Sequence, residues 1–111
     1  MSKREFFGLK FYKATGPLDN NVKHICTREQ PHVYSHLCFI THLHKVEVDA
    51  LLEEINSALG GGGFESNFVT DGTESTSVVI APPNITIGQV CTISLTDMKG
   101  LLQEWKAFIN S

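Results

Sequence analysis

A chain of 111 residues, 41% of them apolar and 19% charged, makes one ordinary domain able to bury roughly two-thirds of its unfolded surface. That composition excludes a disordered tail, and a formal charge of −3 without any basic stripe excludes the electrostatic footprint of direct nucleic-acid binding. The polar start Met1-Ser2-Lys3-Arg4-Glu5 and apolar runs of only a few residues give no signal peptide and no membrane span, so a single cytoplasmic α+β domain over residues 1–111 is expected.

Phe7, Leu9 and Phe11 alternate with Gly8, Lys10 and Tyr12, which predicts a half-buried opening strand. Thr15 to Asn21 is turn-rich and reads as a loop, and Val22 to Thr27 as a short strand. After Pro31, residues 32–43 read as the principal strand, with Val33, Leu37, Phe39 and Leu43 on one face. Tyr34, His36, Cys38, Ile40 and His42 then take the other face. A helix over 47–59 buries Val48, Leu51, Leu52, Ile55 and Leu59, and Gly60 is its expected left-handed cap. The glycine run to Gly63 leads into a hairpin, 64–70 and 75–81, turning at Asp71-Gly72-Thr73-Glu74. Pro82-Pro83-Asn84 forces a further turn, and Ile85 to Ile93 reads as a last strand interrupted at Gly88.

The closing helix carries the strongest local signal. Ser94-Leu95-Thr96-Asp97 fits a capping box, and Ile93 with Met98 fits a hydrophobic staple. Met98, Leu101, Leu102, Trp105, Phe108 and Ile109 recur at three- and four-residue steps. The order ββ(β)-α-βββ-α predicts a single antiparallel sheet of about five strands with two amphipathic helices packed on one face.

Four patterns invite a chemical reading. His32, His36, Cys38, His42 and His44 are of zinc-ligand type, but on a strand His36 and His42 would sit roughly 20 Å apart. His42 and His44 at i, i+2 can chelate together, and two ligands make neither a closed structural site nor a catalytic one. Cys38 shares a predicted face with His36, as a thiolate nucleophile would need; mid-strand between Leu37 and Phe39 it reads as a small buried hydrophobe. The three cysteines, odd in number and irregularly spaced, predict reduced thiols in place of a disulfide framework. The glycines leave a helix C-terminus, where the dipole repels anions, so they do not form a phosphate loop. Glu53 and Glu54 diverge on their helix, whereas Glu65, Asp71 and Glu74 cluster on or near the predicted hairpin as solubilising charge or as an acidic recognition loop.

The closing segment Ile93-Ser94-Leu95-Thr96-Asp97-Met98, with Leu101-Leu102-Gln103-Glu104-Trp105-Lys106-Ala107-Phe108-Ile109, resembles the C-terminal strand and helix of small bacterial immunity proteins. These accompany polymorphic, contact-dependent toxins; the rest of the chain is similar to them in size and layout. The resemblance implies a non-catalytic inhibitor, without cofactor or metal, that occludes the active site of a cognate toxin domain, a basic one if carboxylates make the contact. Tyr34, His42, His44, Glu65, Asp71 and Glu74 are the expected partner-binding residues, on a monomer or homodimer. The rival readings are an adaptor or homo-oligomeric subunit using an exposed sheet face, and a metal-dependent enzyme using the histidine-rich segment.

Overall fold

Ser2 starts the first element by accepting from the amide of Glu5 at 3.1 Å, which caps the short helix α1 (Lys3–Phe6). The computed structural model describes residues 2–16, 22–73 and 76–110, and of Asp71 the backbone alone. After α1 come β1 (Leu9–Thr15), β2 (Val22–Arg28), a 3₁₀ helix (Val33–His42) and α2 (Lys45–Leu59). A 3₁₀ turn (Asp71–Thr73), β3 (Val78–Ala81), β4 (Asn84–Ile87), β5 (Cys91–Ser94) and α3 (Leu95–Ile109) complete the chain. The expected loop residues 17–21 lie outside the described residues.

The fold is α+β, and its strands form two antiparallel sheets, β1-β2 and β3-β4-β5, instead of one sheet of five. The division has a local cause. Residues 32–43, expected as the principal strand, are helical. Just after Pro31, His32 Nδ1 accepts from the amide of Tyr34 at 3.1 Å, and Ser35 Oγ accepts from the amide of His32 at 3.2 Å. This reciprocal cap commits the chain to a helical turn before any strand partner is reached. Tyr34, Leu37, Ile40 and Leu43 then fall at three-residue steps, the 3₁₀ repeat, with Leu37 and Ile40 fully buried. A 3₁₀ helix of ten residues is unusually long. Val33, placed on the core face by a strand reading, is exposed.

α2 begins at Lys45, two residues before its expected start, and ends at Leu59 as expected. Its stop differs by one residue from expectation. Gly60 keeps a negative φ, and Gly61, at φ +78°, takes the left-handed position that only glycine adopts without strain. Gly62 N donates to Ser57 O at 2.8 Å and Gly61 N to Ala58 O at 3.4 Å, the paired bonds of a Schellman motif.

The hairpin expected over 64–81 is mostly irregular. Of its first arm, only the bridge Asn67↔Val79 remains, flanked by Phe68 N to Val78 O at 2.9 Å and Ile80 N to Ser66 O at 2.7 Å. The last strand is in fact two: β4 and β5 pair in a hairpin whose turn holds Gly88 at φ +63° and Gln89 at φ +68°. Two successive positive φ values are the mark of a type I′ turn.

α3 follows β5 without a loop. Ser94 Oγ accepts from Asp97 N at 3.0 Å, and Ile93 and Met98 are both buried, as the cap and staple predict. The Asp97 carboxylate has another task, an ion pair with Lys3 Nζ at 2.7 Å. Glu104 accepts from the amides of Lys3 at 2.7 Å and Arg4 at 3.0 Å, so α3 holds α1 through two carboxylates. α3 meets β4 and β5, and α2 packs against α3. Lys106 pairs with Asp49 at 2.6 Å across that helix–helix contact. Trp105 is buried, its ring edge-on to Phe11 of β1 at 4.9 Å. α3 thereby ties the three-stranded sheet, the β1-β2 hairpin and α2 into one core.

Candidate functional site

The segment after the glycines folds back along α2 and leaves a groove of about 460 Å³ between them. Its lining combines Ala50 and Phe68 with three carboxylates, Glu53 and Glu54 from α2 and Glu65 from the returning segment. Val69, 80% exposed, adds apolar surface to the lining. Glu53 and Glu54, which diverge on their helix, are brought together with Glu65 because the returning chain supplies the second wall.

That wall is fixed at both ends by acids of α2. Glu54 Oε2 accepts from the amide of Glu65 at 2.7 Å. Glu47 Oε1 accepts from His44 N at 3.1 Å, and Glu47 Oε2 accepts from Gly72 N at 2.9 Å and from the Thr70 hydroxyl. Partial burial pushes the Glu47 carboxyl up, but the Thr70 hydroxyl, the His44 and Gly72 amides and the nearby His44 together hold it below its ordinary value. Between these two ties Phe68 is buried, and just beyond them the hydroxyl of buried Thr73 accepts from the amide of Thr70 at 2.8 Å. The groove is preformed.

The remaining candidates are dispersed. His42 and His44 line a second cleft of about 560 Å³ with Val22, Lys23, His24, Ile25 and Thr41. A smaller neighbouring cleft shares His24, Thr41 and His44 and reaches Trp105. No group of three or more His, Cys, Asp or Glu side chains is arranged to hold a metal ion among the described residues. Tyr34 lines neither groove nor cleft; half-buried, it packs edge-on against Phe7 at 4.8 Å and tilts over His32 at 4.7 Å. Of the acidic cluster, Glu65 is on the groove, the Asp71 backbone belongs to the turn tied by Glu47, and Glu74 lies outside the described residues.

Cys38 meets a cysteine. Its Sγ lies 3.6 Å from Sγ of Cys26 on β2, a neighbour that the strand reading hid. Helical winding turns His36 elsewhere, against Gly88, where a β-carbon would stand 2.6 Å from its Nδ1.

Among the described residues no helix is long and apolar enough to cross a membrane. Compared with known proteins, the chain matches no family model, no curated protein and no solved structure.

Proposed function

We propose that this is a non-catalytic binding protein, an immunity protein that neutralises a cognate bacterial toxin domain by covering its active site. The observation that carries the reading is the preformed groove with Glu53, Glu54 and Glu65 set around Ala50 and Phe68. A toxin that acts on an anionic substrate keeps cationic side chains in its cleft, and a rigid acidic groove with an apolar floor complements them. Fixing the wall beforehand through Glu54 and Glu47 lowers the ordering cost of association. Exposed Val69 supplies an apolar contact inside the charged rim.

The test is co-expression with the toxin-like product of the adjacent gene. Growth should be rescued by the native chain, and a one-to-one complex should be seen by calorimetry. Glu53→Lys with Glu65→Lys should weaken binding at least tenfold while leaving the far-ultraviolet spectrum unchanged. Both side chains are solvent-exposed, and Glu54, which holds the wall, is untouched. Tight binding that ignores the charge reversal would remove the groove from the interface.

The homo-oligomer reading has its own support. β1 and β2 form a sheet of two strands bearing exposed Tyr12 and Val22; Thr41 occupies the backbone of β2 at Cys26, so pairing with a second copy would use the edge of β1. A mass that doubles with concentration in sedimentation would favour it.

A further inference from the structure

Thr41 lies three residues after Cys38, so both fall on one face of the 3₁₀ helix, and that face rests on β2 at Cys26. The contact is pinned on the backbone. Cys26 N donates to Thr41 Oγ1 at 2.8 Å, and the same hydroxyl donates to Cys26 O at 3.2 Å. The two sulfurs are held 3.6 Å apart on elements that cannot drift independently. Cys26 is buried and Cys38 half-buried, so Cys38 is the more accessible of the two.

We infer that Cys26 and Cys38 are a redox-active dithiol, a site that a low-molecular-weight disulfide of the glutathione class oxidises reversibly to an intrachain disulfide. The electrostatics assign the roles. The Cys26 S–H bonds toward the Cys38 sulfur and holds the Cys38 thiol below its ordinary value; burial opposes this and the Arg28 guanidinium adds to it. The same bond, with burial and the Cys38 charge, pushes the Cys26 thiol far up. Cys38 is therefore the attacking thiolate and Cys26 the resolving thiol.

Cys38 Sγ attacks one sulfur of the small disulfide, forming a mixed disulfide and expelling one small thiolate. Cys26 then gives up its proton, its sulfur attacks Cys38 Sγ, and the second small thiolate departs. The protein pair loses two electrons and two protons, and the small disulfide becomes two thiols. Closure brings the sulfurs from 3.6 Å to the ~2.05 Å of a disulfide bond, a movement of the order that side-chain rotation covers. The product links β2 to the 3₁₀ helix across a sequence separation of 12.

The experiment equilibrates the full chain in buffers of reduced and oxidised glutathione, then blocks free thiols and maps them by mass spectrometry. The expected product is a monomer lighter by two hydrogens, with the Cys26 and Cys38 peptides joined and Cys91 still free. Cys26→Ser should accumulate a stable glutathione adduct on Cys38, whereas Cys38→Ser should leave Cys26 unmodified over the same range. Peptide mapping of the unmutated chain decides the matter even where a variant folds poorly. A persistent glutathione adduct on the native chain, a cross-link between chains, or two free thiols throughout the range would each overturn the assignment.

Discussion

Glu47 shows how a single side chain can serve as a structural tie. Its two oxygens satisfy the amide of His44, the amide of Gly72 and the hydroxyl of Thr70, joining the start of α2 to a turn over 20 residues away in sequence. Hydrogen bonds to an ionised acceptor exceed the neutral kind, and the site is only partly shielded from water, so Glu47→Gln should cost about 1–2 kcal/mol at neutral pH by urea unfolding. The folded-state value lies below the ordinary 4.5, so the ionised form is favoured by folding. Its contribution is complete above that ordinary value and fades as pH falls through the depressed one. The gap between native and Glu47→Gln midpoints should accordingly shrink under acid. A gap that widens there would mean the carboxylate acts by some route other than these bonds. Trp105 contributes through volume instead: its indole Nε1 is buried with no hydrogen-bond partner among the described residues, so its value lies in the packing around Phe11. Trp105→Ala should remove about 3–5 kcal/mol, enough to leave a marginal domain largely unfolded in thermal scans.

Whole elements were legible where the sequence carried both a period and a punctuation mark. α3 had a cap at Ser94, a staple at Ile93 and Met98 and a stripe ending at Ile109, and each is found in place. Ser94→Ala should cost about 1 kcal/mol, read as a lower denaturant midpoint at unchanged slope. α2 is legible for the same reason, although it starts two residues early at Lys45 and Leu59, expected in its buried stripe, is exposed. Its left-handed residue is Gly61 in place of Gly60, because four successive glycines leave the choice to backbone hydrogen bonding. The segment 32–43 is ambiguous in sequence because its apolar residues satisfy two periods at once. Leu37, Phe39 and Leu43 fit an alternating strand, yet Tyr34, Leu37, Ile40 and Leu43 fit a three-residue helix, and His32 with Ser35 supplies the cap that decides between them. The hairpin at β4 and β5 was hidden differently. Gly88 marks an interruption in sequence, but a positive φ at Gln89 as well turns the interruption into a reversal.

The acidic groove and the histidine-bearing cleft are assembled from different parts of the chain, and this arrangement is the least legible in sequence. Glu65 was identifiable as an exposed acid, but its grouping with Glu53 and Glu54 depends on a chain reversal that the glycine run permits without encoding. The nearness of Cys26 and Cys38 likewise depends on helical winding between them. The resulting surface has an acidic groove flanking α2, while Lys23, His24, His42 and His44 line a cleft elsewhere. A net charge of −3 is too small to steer a partner uniformly, so any steering must come from the local field of the groove. Charges that act at a distance accelerate encounter and are screened beyond roughly 8–10 Å at physiological salt, whereas apolar contacts govern dissociation and respond little to salt. The association rate with a basic toxin domain should therefore fall about tenfold as ionic strength rises from low to several hundred millimolar, with dissociation nearly constant. Glu53→Lys with Glu65→Lys, two reversals of two charges each, takes the net charge from −3 to +1 and should flatten or invert that dependence in stopped-flow measurements. An unchanged salt slope in the double variant would place the partner on another face of the protein.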